Sequence, residues 1–269
     1  MVAAFHRLRK WRSHAARDFQ RMTSSASVED GIARVVSDLL HQVPCPPTDL
    51  DKVCQKLDVS IRDSDELIGT GALIRDGASF NILCASGLPL ERRRFTIAHE
   101  IAHLVIDRSA KRIVRHSSEL ERLCDVFAAE LLMPRPVFGA ALAQRAHLRD
   151  LPALAKSFQV SLTSAAIRWA ELKRVSIFEV REDRVTWGVG LIRRGRITEL
   201  DETLMPAIAR AIAGEAGADE VHLNVQESIR RCEVEYWPLG KSKRAFILVR
   251  ILPTAPSHSQ MGALGTDIT

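Results

Sequence analysis

The chain has 269 residues, of which 46% are apolar and 26% charged, a composition typical of a globular protein with one or two domains. No apolar stretch reaches the roughly 18–20 residues of a membrane span, so a soluble protein is expected. The net charge of +5 comes from the first 22 residues, which carry six basic residues against one acidic residue. Any attraction for phosphate groups therefore belongs to this N-terminal arm, because basic and acidic residues are equal in number in the rest of the chain.

Cysteine and aromatic usage excludes two further classes. The five cysteines form neither a CxxC pair nor an even-numbered framework, which argues against a disulfide scaffold and a thiolate zinc knuckle. A reducing cytoplasm is the expected compartment. The 14 aromatic residues, nine Phe, four Trp and one Tyr, are few for a protein that stacks exposed bases along a groove.

Residues 1–24 are interpreted as a basic amphipathic arm. Apolar residues recur there at three- and four-residue spacing: Phe5, Leu8, Trp11, Ala15, Phe19 and Met22. Three interpretations remain open: a helix docked on the body, which we favour, an arm that touches DNA or anionic lipid, or an organelle-targeting segment.

Residues 25–150 read as one α+β domain. Helices are predicted at 29–42, 48–57, 90–106 and 118–133, and strands at 59–62, 69–75 and 80–85. The last two strands flank Asp76-Gly77, a hairpin signal, so a small antiparallel sheet is expected. Pro134 ends the last helix because proline cannot continue one.

The rest of the chain divides into three predicted parts. Residues 151–174 form a helical block, and residues 175–252 form a β-rich domain with one helix at 204–214. The β-β-α-β-β-β order of this domain is compatible with a GAF or PAS domain. Residues 253–269, with two prolines and several Ser, Thr and Gly residues, are expected to be a flexible tail.

The most informative motif is His99-Glu100-Ile101-Ala102-His103, an HExxH pentapeptide inside the helix predicted at 90–106. Residues four apart on a helix differ by about 40° around its axis, so both imidazoles can reach one cation. Glu100 follows the first imidazole and is placed to act on water rather than to bind the ion. The pattern predicts a metal site with Glu100 as its general base.

A catalytic zinc ion takes a third protein ligand, which the helix at 118–133 can supply. The extended metzincin pattern needs a histidine where this chain has Ser109, so that class is excluded. Among the acidic residues of the next helix only Glu121 and Asp125 share a face, which also carries the small residues Cys124 and Ala128. Glu121 is the proposed third ligand, and Asp125 the acceptor that holds one imidazole. His116 is the rival ligand.

Two segments together resemble the ImmA/IrrE family of bacterial metallo-endopeptidases. They are Arg94–His103 (RFTIAHEIAH) and Glu121–Pro134 (ERLCDVFAAELLMP), in the family's order and at its typical distance. The resemblance extends from about Val28 to Leu172, and its main departure is Ala102, where the family often has glycine. It implies a zincin-like fold and one Zn²⁺ per chain.

The resemblance also implies a function. Members of the family cleave helix-turn-helix repressors of the Xre type and so derepress phage, mobile-element or stress-response genes. In zincin-like folds an edge strand pairs with the substrate backbone, and we expect this strand to be the one at 80–85. Its predicted substrate-binding residues are Phe80, Ile82, Leu83 and Cys84.

The block at 151–174 contains a helix-turn-helix-like segment, Leu154–Ser161 (LAKSFQVS), with Gln159 at the turn position that usually holds glycine. The helix that follows offers Arg168 as its main basic residue, and the acidic Glu171 offsets its charge. Base and phosphate contacts require several projecting polar and basic side chains, so direct DNA binding is not expected.

One alternative function stays open at this point: a non-catalytic DNA-binding transcriptional regulator with a structural metal site. Structural zinc sites are closed by four protein ligands, commonly cysteines. This sequence offers three ligands and a well-placed Glu100, which favours an endopeptidase that acts on a protein substrate. No membrane partner is expected.

Overall fold

The structure, a computed structural model, describes residues 11–77, 79–109, 117–145, 147–182, 184–190, 201–225, 228–240 and 243–253. The chain is α+β and divides into two compact units, Met1–Lys173 (unit 1) and Arg174–Thr269 (unit 2). The residues 1–10, His116 and nearly all of the predicted tail at 253–269 lie outside the described residues.

Unit 1 is mainly helical. Its helices are α1 (His14–Met22), α2 (Val28–Leu39), α3 (Leu50–Lys56), α4 (Leu90–Ser109), α5 (Ser118–Leu132), α6 (Arg135–Ala143), α7 (Leu151–Phe158) and α8 (Leu162–Lys173), with a 3-10 turn at Leu148–Asp150. Its strands are β1 (Val59–Ser64), β2 (Gly71–Asp76) and β3 (Ser79–Ala85).

Side-chain caps fix where several of these helices begin. The side chains of Ser27, Asp49 and Ser117 each accept a hydrogen bond from the backbone N–H three residues ahead. Such a cap satisfies one of the backbone donors left open in the first turn of a helix. The cap at Ser117 starts α5 so that Glu121 falls in its first turn.

The sheet of unit 1 has the order β1-β3-β2. β2 and β3 form the expected antiparallel hairpin, and Gly77 adopts the positive φ of 60° that its turn requires. β1, however, runs parallel to β3, so the prediction of a wholly antiparallel sheet is wrong. β1 and β3 are not joined by a tight turn, because the chain passes through β2 between them.

The strand order also corrects the predicted substrate strand. β3, which contains Phe80, Ile82, Leu83 and Cys84, is the central strand, and its backbone pairs with β1 on one side and β2 on the other. A central strand has no open edge for a third chain, so the assignment of substrate pairing to these residues is wrong. Ile82 and Cys84 are fully buried. The edge strands are β1 and β2, and it is β2 whose first residues line the space beside His99 and His103.

The core of unit 1 lies where α4 packs against α5. The buried residues of α4 include the small Ala98 and Ala102, and those of α5 include Cys124 and Ala128. Small side chains let two helix backbones approach closely, while Leu and Phe neighbours fill the space beside them. This close contact brings the predicted ligands of both helices together.

Unit 2 is an antiparallel sheet with one helix. Its elements are β4 (Ser176–Arg181), β5 (Arg184–Val189), α9 (Asp201–Ile212), β6 (Gly217–Val225), β7 (Ser228–Pro238) and β8 (Arg244–Ile251), with the strand order β5-β4-β8-β7-β6. α9 buries Leu204, Ala207, Ile208 and Ala211 against one face of the sheet. The predicted order of strands and helix matches these elements, although β6 and β7 both begin four residues earlier than expected.

Among the described residues no single helix is long and apolar enough to cross a membrane; only the bent pair α5 and α6 passes a test of length and composition. α5 is a core helix with nine buried residues, whereas α6 buries Phe138 and Leu142. All five cysteines are free.

Candidate metal centre

Two histidines on successive turns of α4 face the same space. The ring centroids of His99 and His103 lie 4.9 Å apart, and their Nε2 atoms are separated by 3.2 Å. The spacing of four residues along the helix produces this arrangement, as the sequence predicts. Both rings are partly buried, so their orientation is restricted by packing.

The carboxylate of Glu121 completes a triangle with the two imidazoles. Its Oε2 lies 3.2 Å from His99 Nε2, and its Oε1 lies 3.6 Å from His103 Nε2. Ligand atoms held about 2.0–2.1 Å from a tetrahedral zinc ion lie about 3.3–3.4 Å from one another. The spacing of these three side chains therefore fits a zinc ion.

Asp125, one turn further along α5, holds the ring of His99. The Nδ1–H of His99 donates to Oδ1 of Asp125 at 3.0 Å, which leaves Nε2 free to act as a ligand. Burial by itself lowers the pKa of His99, but the hydrogen bond and charge of Asp125, with two nearby glutamates, raise it above its ordinary value. The surroundings of this imidazole thus stabilise a positive charge, whether a proton or a metal ion carries it.

The structure also brings Cys124 into the cluster, a residue that the sequence suggested only as a small packing residue. Its Sγ lies within 4.8 Å of ligand nitrogens of both His99 and His103. Burial, and after it three nearby carboxylates, raise the pKa of the Cys124 thiol.

Glu100 lies beside this triangle and faces a cleft of about 480 Å³. The cleft is lined by Gly71, Ala72, Leu73, His99, Glu100, His103, Ile106, Asp107, Leu120 and Glu121. Its volume falls in the range of small-ligand and peptide sites. The start of β2 closes one wall, where a Cβ atom on Gly71 would lie 3.2 Å from Glu100 Oε1 and 2.2 Å from Thr96 Cγ2.

The helix-turn-helix-like block directs its main base inward. Arg168 is 3% exposed and forms ion pairs with Glu130 of α5 and Glu171 of α8 at 3.2 and 3.1 Å. Gln159 takes the left-handed conformation at the turn, with φ 51°, without being glycine. Arg168 is therefore engaged in holding α8 to α5 and does not project toward a nucleic acid.

Comparison with known proteins identifies the helical unit. Residues 54–170 match the model of the IrrE N-terminal-like domain. The radiation response metalloprotease IrrE of Deinococcus radiodurans is 36% identical over 106 residues, which cover 36% of this chain and 32% of that protein. Residues 54–170 are therefore similar to the metalloprotease domain of the ImmA/IrrE family.

The relationship covers only part of each protein. The match with IrrE spans about a third of the relative's length. The match with the domain model leaves out residues 1–53 and unit 2. A solved structure of a Mycobacterium tuberculosis transcriptional regulator shares the fold, with a TM-score of 0.54 and 15% identity. That similarity covers 87% of this chain and 79% of that chain.

Proposed function

We propose that this protein is a member of the ImmA/IrrE family and a zinc-dependent endopeptidase that cleaves a protein regulator, an Xre-type repressor, and thereby derepresses phage, mobile-element or stress-response genes. The observation that carries the proposal is the triangle of His99, His103 and Glu121, with spacings of 3.2–3.6 Å beside Glu100. The name of the IrrE relative supports a protease role.

The donor set favours zinc over the common alternatives. Two imidazoles with one carboxylate suit Zn²⁺, whereas Mg²⁺ and Ca²⁺ prefer shells made only of oxygen. Three protein ligands leave a coordination position open, as in catalytic rather than structural sites. The bound ion would supply Lewis acidity that polarises the scissile carbonyl and makes water more acidic.

The protein's own residues supply the proton transfers. Glu100 Oε1 takes the proton from the attacking water and then delivers it to the leaving amine nitrogen, while the peptide C–N bond breaks. Asp125 keeps the Nδ1–H of His99 turned away from the cleft. Burial of Glu100, which is 9% exposed, limits competing water around its carboxylate.

The edge strand β2 would orient the substrate. The carbonyl of Thr70 accepts a hydrogen bond from the backbone N–H of Ala85 in β3. In an antiparallel pair every second residue is hydrogen-bonded to the partner strand, and the residues between them face the other way. Ala72 and Ile74 therefore bond to β3, while the N–H and C=O of Leu73 point to the open edge. An extended peptide can pair with Leu73 beside the metal triangle, which replaces the predicted pairing with β3.

The test is cleavage of purified Xre-type repressors from the source organism by the full chain, with Glu100→Gln and His103→Ala as comparisons. The wild type should cut one repressor at one site in the presence of zinc. Glu100→Gln should bind zinc normally and cut about 100- to 10,000-fold more slowly, because the amide lacks basicity. Equal rates for the wild type and Glu100→Gln contradict the mechanism, and no cleaved repressor contradicts the substrate class.

A further inference from the structure

The segment that precedes the matched domain contacts the helix that carries Glu121. The match covers residues 54–170, whereas Trp11 and Arg12 lie far upstream of it in the chain. Both nevertheless meet the first turn of α5, more than 100 residues later in the sequence. α1, which follows them, packs against α2, α4 and α5 and buries Ala16 and Phe19.

Three contacts form this junction, which we call the N-terminal clasp: those of Trp11 and Arg12 with Glu29, Glu119 and Arg122. The guanidinium of Arg122 lies 3.8 Å from the centre of the Trp11 ring, a cation–π contact. The backbone N–H of Arg12 donates to Glu119 Oε1 at 2.6 Å. The indole N–H of Trp11 donates to Glu29 Oε1 of α2 at 3.0 Å, so the ring is fixed from both sides.

Glu121 sits between the two α5 residues that the clasp holds. Its side chain is 45% exposed, so packing alone does not fix its carboxylate. It also lies in the first turn of α5, where helices fray most readily. The His99 and His103 ligands differ, because both lie in the middle of the buried helix α4.

We propose that Trp11 and Arg12 are positioning residues for the metal site: by holding Glu119 and Arg122 they fix the first turn of α5 and thereby place Glu121 against the two imidazoles. This inference rests on the proposed metal site and extends it to a part of the chain outside the matched domain. The part of the N-terminal arm that begins at Trp11 then serves the metal centre through docking.

The experiment measures metal binding in the full chain, so it does not depend on a substrate. Zinc affinity is measured by competition with a chromophoric chelator, and the ligand geometry by the visible spectrum of the Co²⁺-loaded protein. Thermal unfolding of the metal-free protein reports the purely structural effect. The variants are Trp11→Ala, Trp11→Phe and Glu119→Ala. Met22→Ala, at the end of the helix α1 that follows Trp11, is the control, and Met22 is 43% exposed.

We expect Trp11→Ala to lower zinc affinity about 10-fold, the lower end of the usual cost of losing groups that support metal ligands, and to alter the Co²⁺ spectrum. Trp11→Phe should recover most of the affinity, because phenylalanine keeps an aromatic face for Arg122. Glu119→Ala should lower affinity less, and Met22→Ala should not change it.

Unchanged zinc affinity and an unchanged Co²⁺ spectrum in Trp11→Ala overturn the inference, even if the metal-free variant unfolds at a lower temperature. If Trp11→Ala does not fold, unchanged affinity in Glu119→Ala overturns it. The proposed metal site fails in a different way: the wild type then binds no zinc, or His103→Ala binds as tightly as the wild type.

Discussion

The two units of the chain use their charged residues in opposite ways. In unit 2 charges pair between neighbouring strands of the sheet: Arg231 with Glu220, Arg250 with Glu233, and Arg244 with Glu179. In unit 1 Glu100, Glu121 and Asp125 gather with two imidazoles around one cleft. Paired charges stabilise a sheet modestly, whereas grouped carboxylates repel one another unless a cation joins them. The comparison favours unit 1 as the location of the proposed metal site.

The largest effect should come from the ligands themselves. His103→Ala and Glu121→Ala should each lose tightly bound zinc, because two remaining ligands hold the ion far more weakly than three. Metal content per chain, measured by mass spectrometry after dialysis, checks this. Glu220→Ala, which removes a paired carboxylate of unit 2, is the matched control and should keep the full zinc content. Full zinc content in Glu121→Ala would show that a side chain other than Glu121 is the third ligand.

Removal of residues 174–269 separates the two units directly. The shortened chain should retain zinc, since every proposed ligand lies in unit 1. Cleavage of the repressor should fall on the order of 100-fold at low substrate concentration if unit 2 docks the repressor near the cleft. Cleavage of a short peptide that contains the cut site should change little. A shortened chain that cuts the whole repressor at the wild-type rate would exclude a docking role for unit 2.

Proline in the edge strand tests substrate pairing within unit 1. Leu73→Pro removes an N–H that faces the open edge, so the sheet should persist while kcat/KM falls about tenfold, the effect of one lost hydrogen bond. Ile74→Pro instead removes an N–H that bonds to β3 and should unfold part of the sheet, as circular dichroism would show. A folded Leu73→Pro variant with the wild-type rate refutes pairing along β2.

The smallest effect should belong to Cys124. Cys124→Ser keeps a side chain of similar size, and because Glu121 is the proposed third ligand, the loss of the sulfur should alter zinc affinity by less than about threefold. Chelator competition measures this on the metal-free protein. A much larger loss would show that sulfur, rather than the Glu121 carboxylate, completes the triangle.

Local patterns predicted the helices of the site well. The helix predicted at 90–106 appears as Leu90–Ser109, and the one at 118–133 as Ser118–Leu132. The phase argument on α5 selected Glu121 and Asp125, and the structure brings both to the imidazoles. Helical periodicity is a local property, so one sequence suffices to assign it.

Long-range arrangement was harder to predict. The Asp76-Gly77 hairpin indicates that β2 and β3 pair, but it contains no information on which of them receives β1 as a second neighbour. The contact of Trp11 with Arg122 likewise leaves no local signal, because it joins residues 111 positions apart. The sequence indicated Arg168 as the main basic residue of its helix, but its burial between Glu130 and Glu171 is seen only in the fold.

Gly71 has only a hydrogen atom in place of a side chain where β2, the proposed substrate-pairing strand, passes Glu100, the proposed proton acceptor. An added methyl group would meet Thr96, a stiff and buried residue, at 2.2 Å, so β2 would have to move away from Glu100. A peptide paired with β2 would then be displaced from Glu100 on α4, so its carbonyl would no longer lie in position for attack. This single position therefore sets how closely β2 can approach α4 and Glu100.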